Sequence, residues 1–213
     1  MFFRKSVLAI AAIALSSTVA SAAVTLSFTP GTNPYSGPVP TYDFETMAPF
    51  TGGLVTTGSL DGIRAQPFGS TGNYATVGPS DGSPGTLDLS SFATISAVSF
   101  IWGSVDTYNT LKILNRSGVM FASYTGADVS ALANGDQSNP FTNPLVTFSF
   151  SGLDAANIGA FEFSSDGNAF EFDNVAVVSG AVPEPATWAM MLFGFGVVGS
   201  ALRRRNRSAI AVA

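Results

Sequence analysis

Between residues 24 and 178, apolar and polar positions alternate in short runs, each cut off by Gly, Pro, Asn or Asp. VTLSFT (24–29) and YDFET (42–46) open the series, separated by the breaker-rich TPGTNPYSGPVP. TLDLSSF (86–92), ISAVSFIW (95–102), TLKILN (110–115) and VMFASY (119–124) follow. LVTFSF (145–150), AFEFSS (160–165) and AFEFDNVAVV (169–178) complete it. A period of two puts successive side chains on opposite faces of a strand. Strands recurring at intervals of about ten residues, with turn residues between them, predict a sandwich or barrel.

In the last run, Phe170, Phe172, Asn174 and Ala176 share one face, and Ala169, Glu171, Asp173, Val175 and Val177 share the other. Apolar on both faces toward its end, this strand belongs inside a sheet rather than at its rim. Two hairpins are predicted from turn chemistry, one at Asn115-Arg116-Ser117-Gly118 and one at Ser165-Asp166-Gly167-Asn168. Helical turns are expected only around residues 127–133 and 153–157. SDGSPGT (80–86) and NGDQSNPFTNP (134–144) read as loops at the ends of the sandwich, the second being the more exposed candidate for binding. The fold predicted is all-β: a jelly-roll-like β-sandwich spanning residues 23–179. Its core draws on a chain that holds 18 phenylalanines.

Both ends follow other patterns. Arg4 and Lys5 precede an apolar stretch from Val7 to Leu15, and Ala20-Ser21-Ala22 supplies a small-residue cleavage pattern. Those three features in that order predict a secretory signal peptide over residues 1–22, cut by signal peptidase at Ala20 and Ala22 after passage through the general secretion machinery. At the other end, Ser179-Gly180-Ala181 forms a short linker and Pro183-Glu184-Pro185 stiffens it. Residues 186–202 then carry no charge, with Trp188 near the outer edge, and Arg203, Arg204, Arg205 and Arg207 close the segment. A Trp at one interface and arginines at the other fit the aromatic belt and the positive-inside rule. The segment reads as a transmembrane helix with the body outside the cytoplasm. A stretch of this length is at the short end of what spans a bilayer, and Gly194, Gly196 and Gly199 lower its helix propensity.

Charge sharpens this picture. The whole chain has a formal charge of −5. Between Ala23 and Pro183 the cations are Arg64, Lys112 and Arg116, three against thirteen acids, so the exported body carries −10. Such a body is repelled by nucleic acid and by anionic membranes, which excludes nucleic-acid binding. The chain has no cysteine and no histidine. Disulfides, Cys/His zinc sites and His-dependent nucleophile systems are therefore absent. Carboxylate chemistry and oxygen-only cation binding remain.

Pro183-Glu184-Pro185, the following Ala186-Thr187-Trp188-Ala189-Met190-Met191-Leu192, Gly194-Phe195-Gly196 and the arginine cluster together resemble the PEP-CTERM sorting signal. More narrowly they are similar to its PEPxxWA variant, a region also filed as the ice-binding protein C-terminal domain, a label that implies no ice binding. The resemblance covers residues 180–207. It implies recognition by an exosortase at Pro183, Glu184 and Pro185, with Trp188 and Ala189 as part of the motif. It also implies transient anchoring in the inner membrane, delivery to the envelope surface or exterior of a Gram-negative bacterium, and an association with exopolysaccharide and biofilm. The body is more weakly similar to the β-sandwich domains that precede such tails, through Tyr42-Asp43-Phe44-Glu45, Phe172-Asp173-Asn174-Val175 and the stretch from Phe100 to Thr110.

Three kinds of chemistry are open to the body. In a non-catalytic surface protein, Trp102 and Tyr108 flank a turn where an aromatic platform beside Asp106 and Asn109 could hold a glycan; the competing reading buries Trp102 in the core. In a glycoside-cleaving enzyme, a carboxylate pair such as Glu45 with Glu171 or Asp173 would act, although acids alternating with Phe on a strand more often form its solvated face. A structural calcium ion could sit on Asp43, Glu45 and Asp173 if the first and last strands are neighbours. The expectation is a non-enzymatic protein without a required cofactor.

Overall fold

A computed structural model describes residues 24–180, Met191 and residues 193–196. The predicted signal peptide, with the expected cleavage residues Ala20 and Ala22, and most of the C-terminal tail lie outside the described residues. Among the described residues eleven strands form two antiparallel sheets. In chain order they are β1 (Val24–Thr29), β2 (Phe50–Thr51), β3 (Leu54–Thr57), β4 (Asn73–Val77), β5 (Gly85–Asp88), β6 (Ile95–Gly103), β7 (Asn109–Asn115), β8 (Met120–Thr125), β9 (Leu145–Phe150), β10 (Ile158–Ser165) and β11 (Phe170–Ser179). The larger sheet runs β1-β9-β6-β11-β4-β3 and the smaller β2-β5-β10-β7-β8. Two helical turns, α1 (Gly126–Val129) and α2 (Gly152–Ala155), fall in the regions expected.

The core lies between the sheets because the inward positions of both are large and apolar. Phe100 and Trp102 of β6, Phe148 of β9, and Phe170 and Phe172 of β11 face Leu111 and Ile113 of β7 and Phe161 and Phe163 of β10; all are fully buried. Phe163 stacks on Phe172 across the gap with ring centroids 3.9 Å apart and an interplanar angle of 9°. Phe100 meets Phe161 and Phe163 edge-on. Such pairs each add about 0.5–1.5 kcal/mol beyond the area they bury.

Four sequence expectations are corrected. YDFET is not a strand; Tyr42 makes a single bridge to Val175, and Glu45 and Asp43 turn back on each other through the Glu45 N–H and Asp43 Oδ1 (3.1 Å). The strands β2, β3 and β4 were not visible in the pattern. β4 is buried at four of its five positions, so its sequence NYATV cannot show a polar face. The turn at residues 166–169 does not make a hairpin, because β10 and β11 belong to different sheets. The chain arches from one sheet to the other there, and this sets Phe163 of β10 face to face with Phe172 of β11. The other predicted hairpin is present, with β7 pairing β8.

The fourth correction concerns the faces of β11. Its pairing with β6 slips between Asp173 and Ala176, and Asn174 adopts a left-handed φ of 55°. This bulge turns Val175 into the core in place of Asn174. β11 does lie inside its sheet, between β6 and β4. Its outer face is not solvated, because residues 58–72 fold over it. The Tyr74 hydroxyl donates to Gly58 O (2.6 Å), and the Ala65 N–H donates to Glu171 Oε1 (2.7 Å). Glu171 and Asp173, which alternate with the phenylalanines, are each 1% exposed.

Candidate functional site

β6 ends in a turn, Ser104 to Tyr108, that leads into β7. Ser104 takes a φ of 35°. The Val105 N–H donates to Thr142 O (2.7 Å), and the Gly135 N–H donates to Val105 O (3.0 Å). These bonds draw the 134–144 loop against the turn, and Asn143 secures its far end by accepting from the Ser104 and Phe68 N–H groups through Oδ1. On the opposite side, Leu60 and Arg64 close a small turn of their own. Between the three segments lies a polar cavity of about 240 Å³. Arg64, Asp106, Tyr108, Asn134, Gln137 and Glu171 provide most of its chemistry.

Each charged group there is held by the fold. Arg64 pairs with Asp81 from the 80–86 loop, and the Thr76 hydroxyl donates to the second Asp81 oxygen (2.9 Å). Glu171 accepts the Ala65 N–H at Oε1 and the Ser104 hydroxyl at Oε2 (2.6 Å). Burial outweighs these bonds and pushes the Glu171 carboxyl up to about 7, with the Asp106 charge adding to the rise. Asp106 is also raised by burial, partly offset by the Tyr108 hydroxyl, which lies 2.6 Å from Asp106 Oδ2 and 3.0 Å from Asn168 O. The Tyr108 phenol is itself raised by burial and by Asp106. The cavity can therefore accept several hydrogen bonds from a hydroxyl-bearing molecule. Glu171 lies too deep, at 1% exposure, to present its carboxyl freely.

A second feature bearing on function lies just past β11. A family model of the PEP-CTERM protein-sorting motif matches residues 181–205. The chain carries a PEP-CTERM sorting motif. The match takes in Pro183, Glu184, Pro185, Trp188, Ala189 and Arg203 to Arg205, while Arg207 lies just beyond it. The PEP-CTERM motif marks a protein for export and for handling by an exosortase. These motif residues are outside the described part of the structure. Among the described residues no helix is long and apolar enough to cross a membrane. Comparison with curated proteins and with solved structures gives no match.

Ahead of the sorting motif, the predicted glycan contacts separate. Asp106 and Tyr108 line the cavity, but Trp102 is fully buried and stacks on Phe170 with centroids 4.2 Å apart. Asn109 is also fully buried and donates through Nδ2 to Ala169 O (3.1 Å). Neither offers a face to a ligand, because the inward side of β6 faces β10 of the opposite sheet and Asn109 braces the arch. Arg64, Gln137 and Glu171 were not expected at this place. Their positions among the loops carry no local signal, and only the covering of β11 by residues 58–72 unites them.

Asp43, Glu45 and Asp173 come into one neighbourhood through the Tyr42–Val175 bridge. Burial pushes Asp173 up to about 7, with Asp43 and Glu45 adding charge repulsion. Asp173 Oδ2 accepts the Ser70 hydroxyl, and Oδ1 has no hydrogen-bond partner among the described residues. Glu45 is occupied elsewhere, accepting the Asn73 N–H at Oε1 (2.6 Å) and the Asn73 side-chain amide at Oε2 (3.2 Å). Among the described residues no three acids converge closely enough to hold a metal ion. The calcium set Asp43, Glu45 and Asp173 is thus gathered in one region but not arranged as ligands.

Proposed function

We propose that this protein is a non-catalytic surface or extracellular-matrix protein of a Gram-negative bacterium, released from a transient inner-membrane anchor by an exosortase. The observation that carries this reading is the sorting motif at residues 181–205, directly after a β-rich body. The signal peptide delivers the chain across the membrane, the apolar segment holds it, and cleavage at Pro183-Glu184-Pro185 frees the body. An association with exopolysaccharide and biofilm follows from the same family.

We read the order β4-β11-β6-β9 facing β5-β10-β7-β8 as a jelly roll, with β1, β2 and β3 added at its edges. Lectins are among the proteins built on that scaffold, although a scaffold alone assigns no function. A second reading, a glycoside-cleaving enzyme, draws support from two raised carboxyls, Asp106 and Glu171, beside one cavity. The burial of Glu171 and the engagement of both its oxygens weigh against it, since a general acid must reach the glycosidic oxygen.

Intact-mass measurement of the mature protein from its host, with and without the exosortase, tests the proposal. In normal cells the mass should exclude the arginine cluster, and without the protease it should include Arg203 to Arg207. A mature form that keeps those arginines in normal cells overturns the reading.

A further inference from the structure

We propose that the cavity between the 60–64 turn, the 104–108 turn and the 134–137 loop binds one uncharged sugar unit, through Asp106, Tyr108, Gln137 and Arg64. This rests on the reading of the body as a polysaccharide-associated surface domain and names the place where that association occurs.

Size comes first. A cavity of about 240 Å³ corresponds to about eight waters at their share of liquid volume, and it falls below the range for drug-sized ligands. One small polar molecule fits, and a folded peptide or a long apolar chain does not. The lining is predominantly polar. Hydroxyl groups of a sugar can donate to Asp106 and accept from the amides of Gln137 and Asn134 at the rim. Asp106 Oδ2 meets Tyr108, and its other oxygen takes no hydrogen bond among the described residues.

Charge then selects the kind of sugar. Arg64, the single cation among the described residues lining the cavity, is already paired with Asp81. Asp106 lines the space with one oxygen unengaged among the described residues, so a uronate, sulfate or phosphate would meet its negative charge. A metal ion fits poorly, because no three acids converge and both Glu171 oxygens already accept hydrogen bonds. The site is also held open by long-range ties. Gly135 comes so near Asp106 that a Cβ there would stand 2.7 Å from Oδ2. The loop therefore reaches the carboxylate through a residue with no side chain.

The test uses the full chain in a detergent without a sugar headgroup, titrated by calorimetry and by saturation-transfer NMR. Probes are glucose, galactose, mannose, N-acetylglucosamine, glucuronate and calcium chloride. At least one neutral sugar should bind, with Kd of about 1 mM, a typical weak affinity. D106A and Q137A should each weaken it about tenfold, as loss of a charge-assisted or amide hydrogen bond requires. Q137A keeps the fold testable, since Gln137 is exposed and its side chain makes no hydrogen bond among the described residues. No binding of any neutral sugar, equal or tighter binding of glucuronate, binding unaffected by both variants, or a heat signal from calcium alone overturns the proposal. Each of these outcomes leaves the intact-mass result untouched, so failure of the site and failure of the sorting reading are distinguishable.

Discussion

Glu171 and Asp173 stand two positions apart on β11, both 1% exposed and both pushed up to about 7 from 4.5 and 3.8. Below those lower values the folded and unfolded chains are both protonated. As pH rises toward 7, the unfolded chain loses protons that the folded chain retains, so stability falls; above about 7 it levels off. The melting temperature should therefore drop between about pH 4 and pH 7. E171Q and D173N should each flatten part of that drop, and a thermal melt at several pH values checks it. A second residue-scale test concerns Trp102. Placed in the core rather than at a ligand, Trp102→Ala should cost about 3–5 kcal/mol in urea denaturation and leave sugar binding measurable under native conditions. Loss of sugar binding with full stability would return the residue to the surface.

At the scale of the element, the bulge in β11 makes a sharper prediction than the strand itself. Asn174 holds a φ of 55°, which asparagine tolerates and β-branched residues do not. N174G should be close to neutral, and N174V should cost about 1–2 kcal/mol. Both are read from denaturation midpoints. The arch between β10 and β11 is tested through the rings it brings together. A double-mutant cycle on Phe163 and Phe172, truncated to leucine singly and jointly, should show a coupling of about 1 kcal/mol. Two strands joined by a hairpin in one sheet would place these rings side by side rather than face to face, 3.9 Å apart.

Across the whole molecule, local and long-range information separate cleanly. The alternation of apolar and polar positions was sufficient for β1, for β5 to β11 and for the all-β class, because a period of two is a property of contiguous residues. The sorting motif was legible for the same reason. Pro183-Glu184-Pro185, an uncharged run and an arginine cluster form a linear signal of contiguous residues, matched at residues 181–205. What tertiary structure alone decided is which polar groups are buried and which meet. The acids of β11 looked solvated until residues 58–72 covered them, and the Ala65–Glu171 hydrogen bond joins positions 106 apart in the chain. Trp102 and Asn109 lay beside Asp106 and Tyr108 in sequence, yet strand alternation and the sheet-to-sheet arch sent the first two inward and left the others at a cavity. Neighbourhood along the chain sets which face a residue can take, and packing between distant segments sets what that face touches.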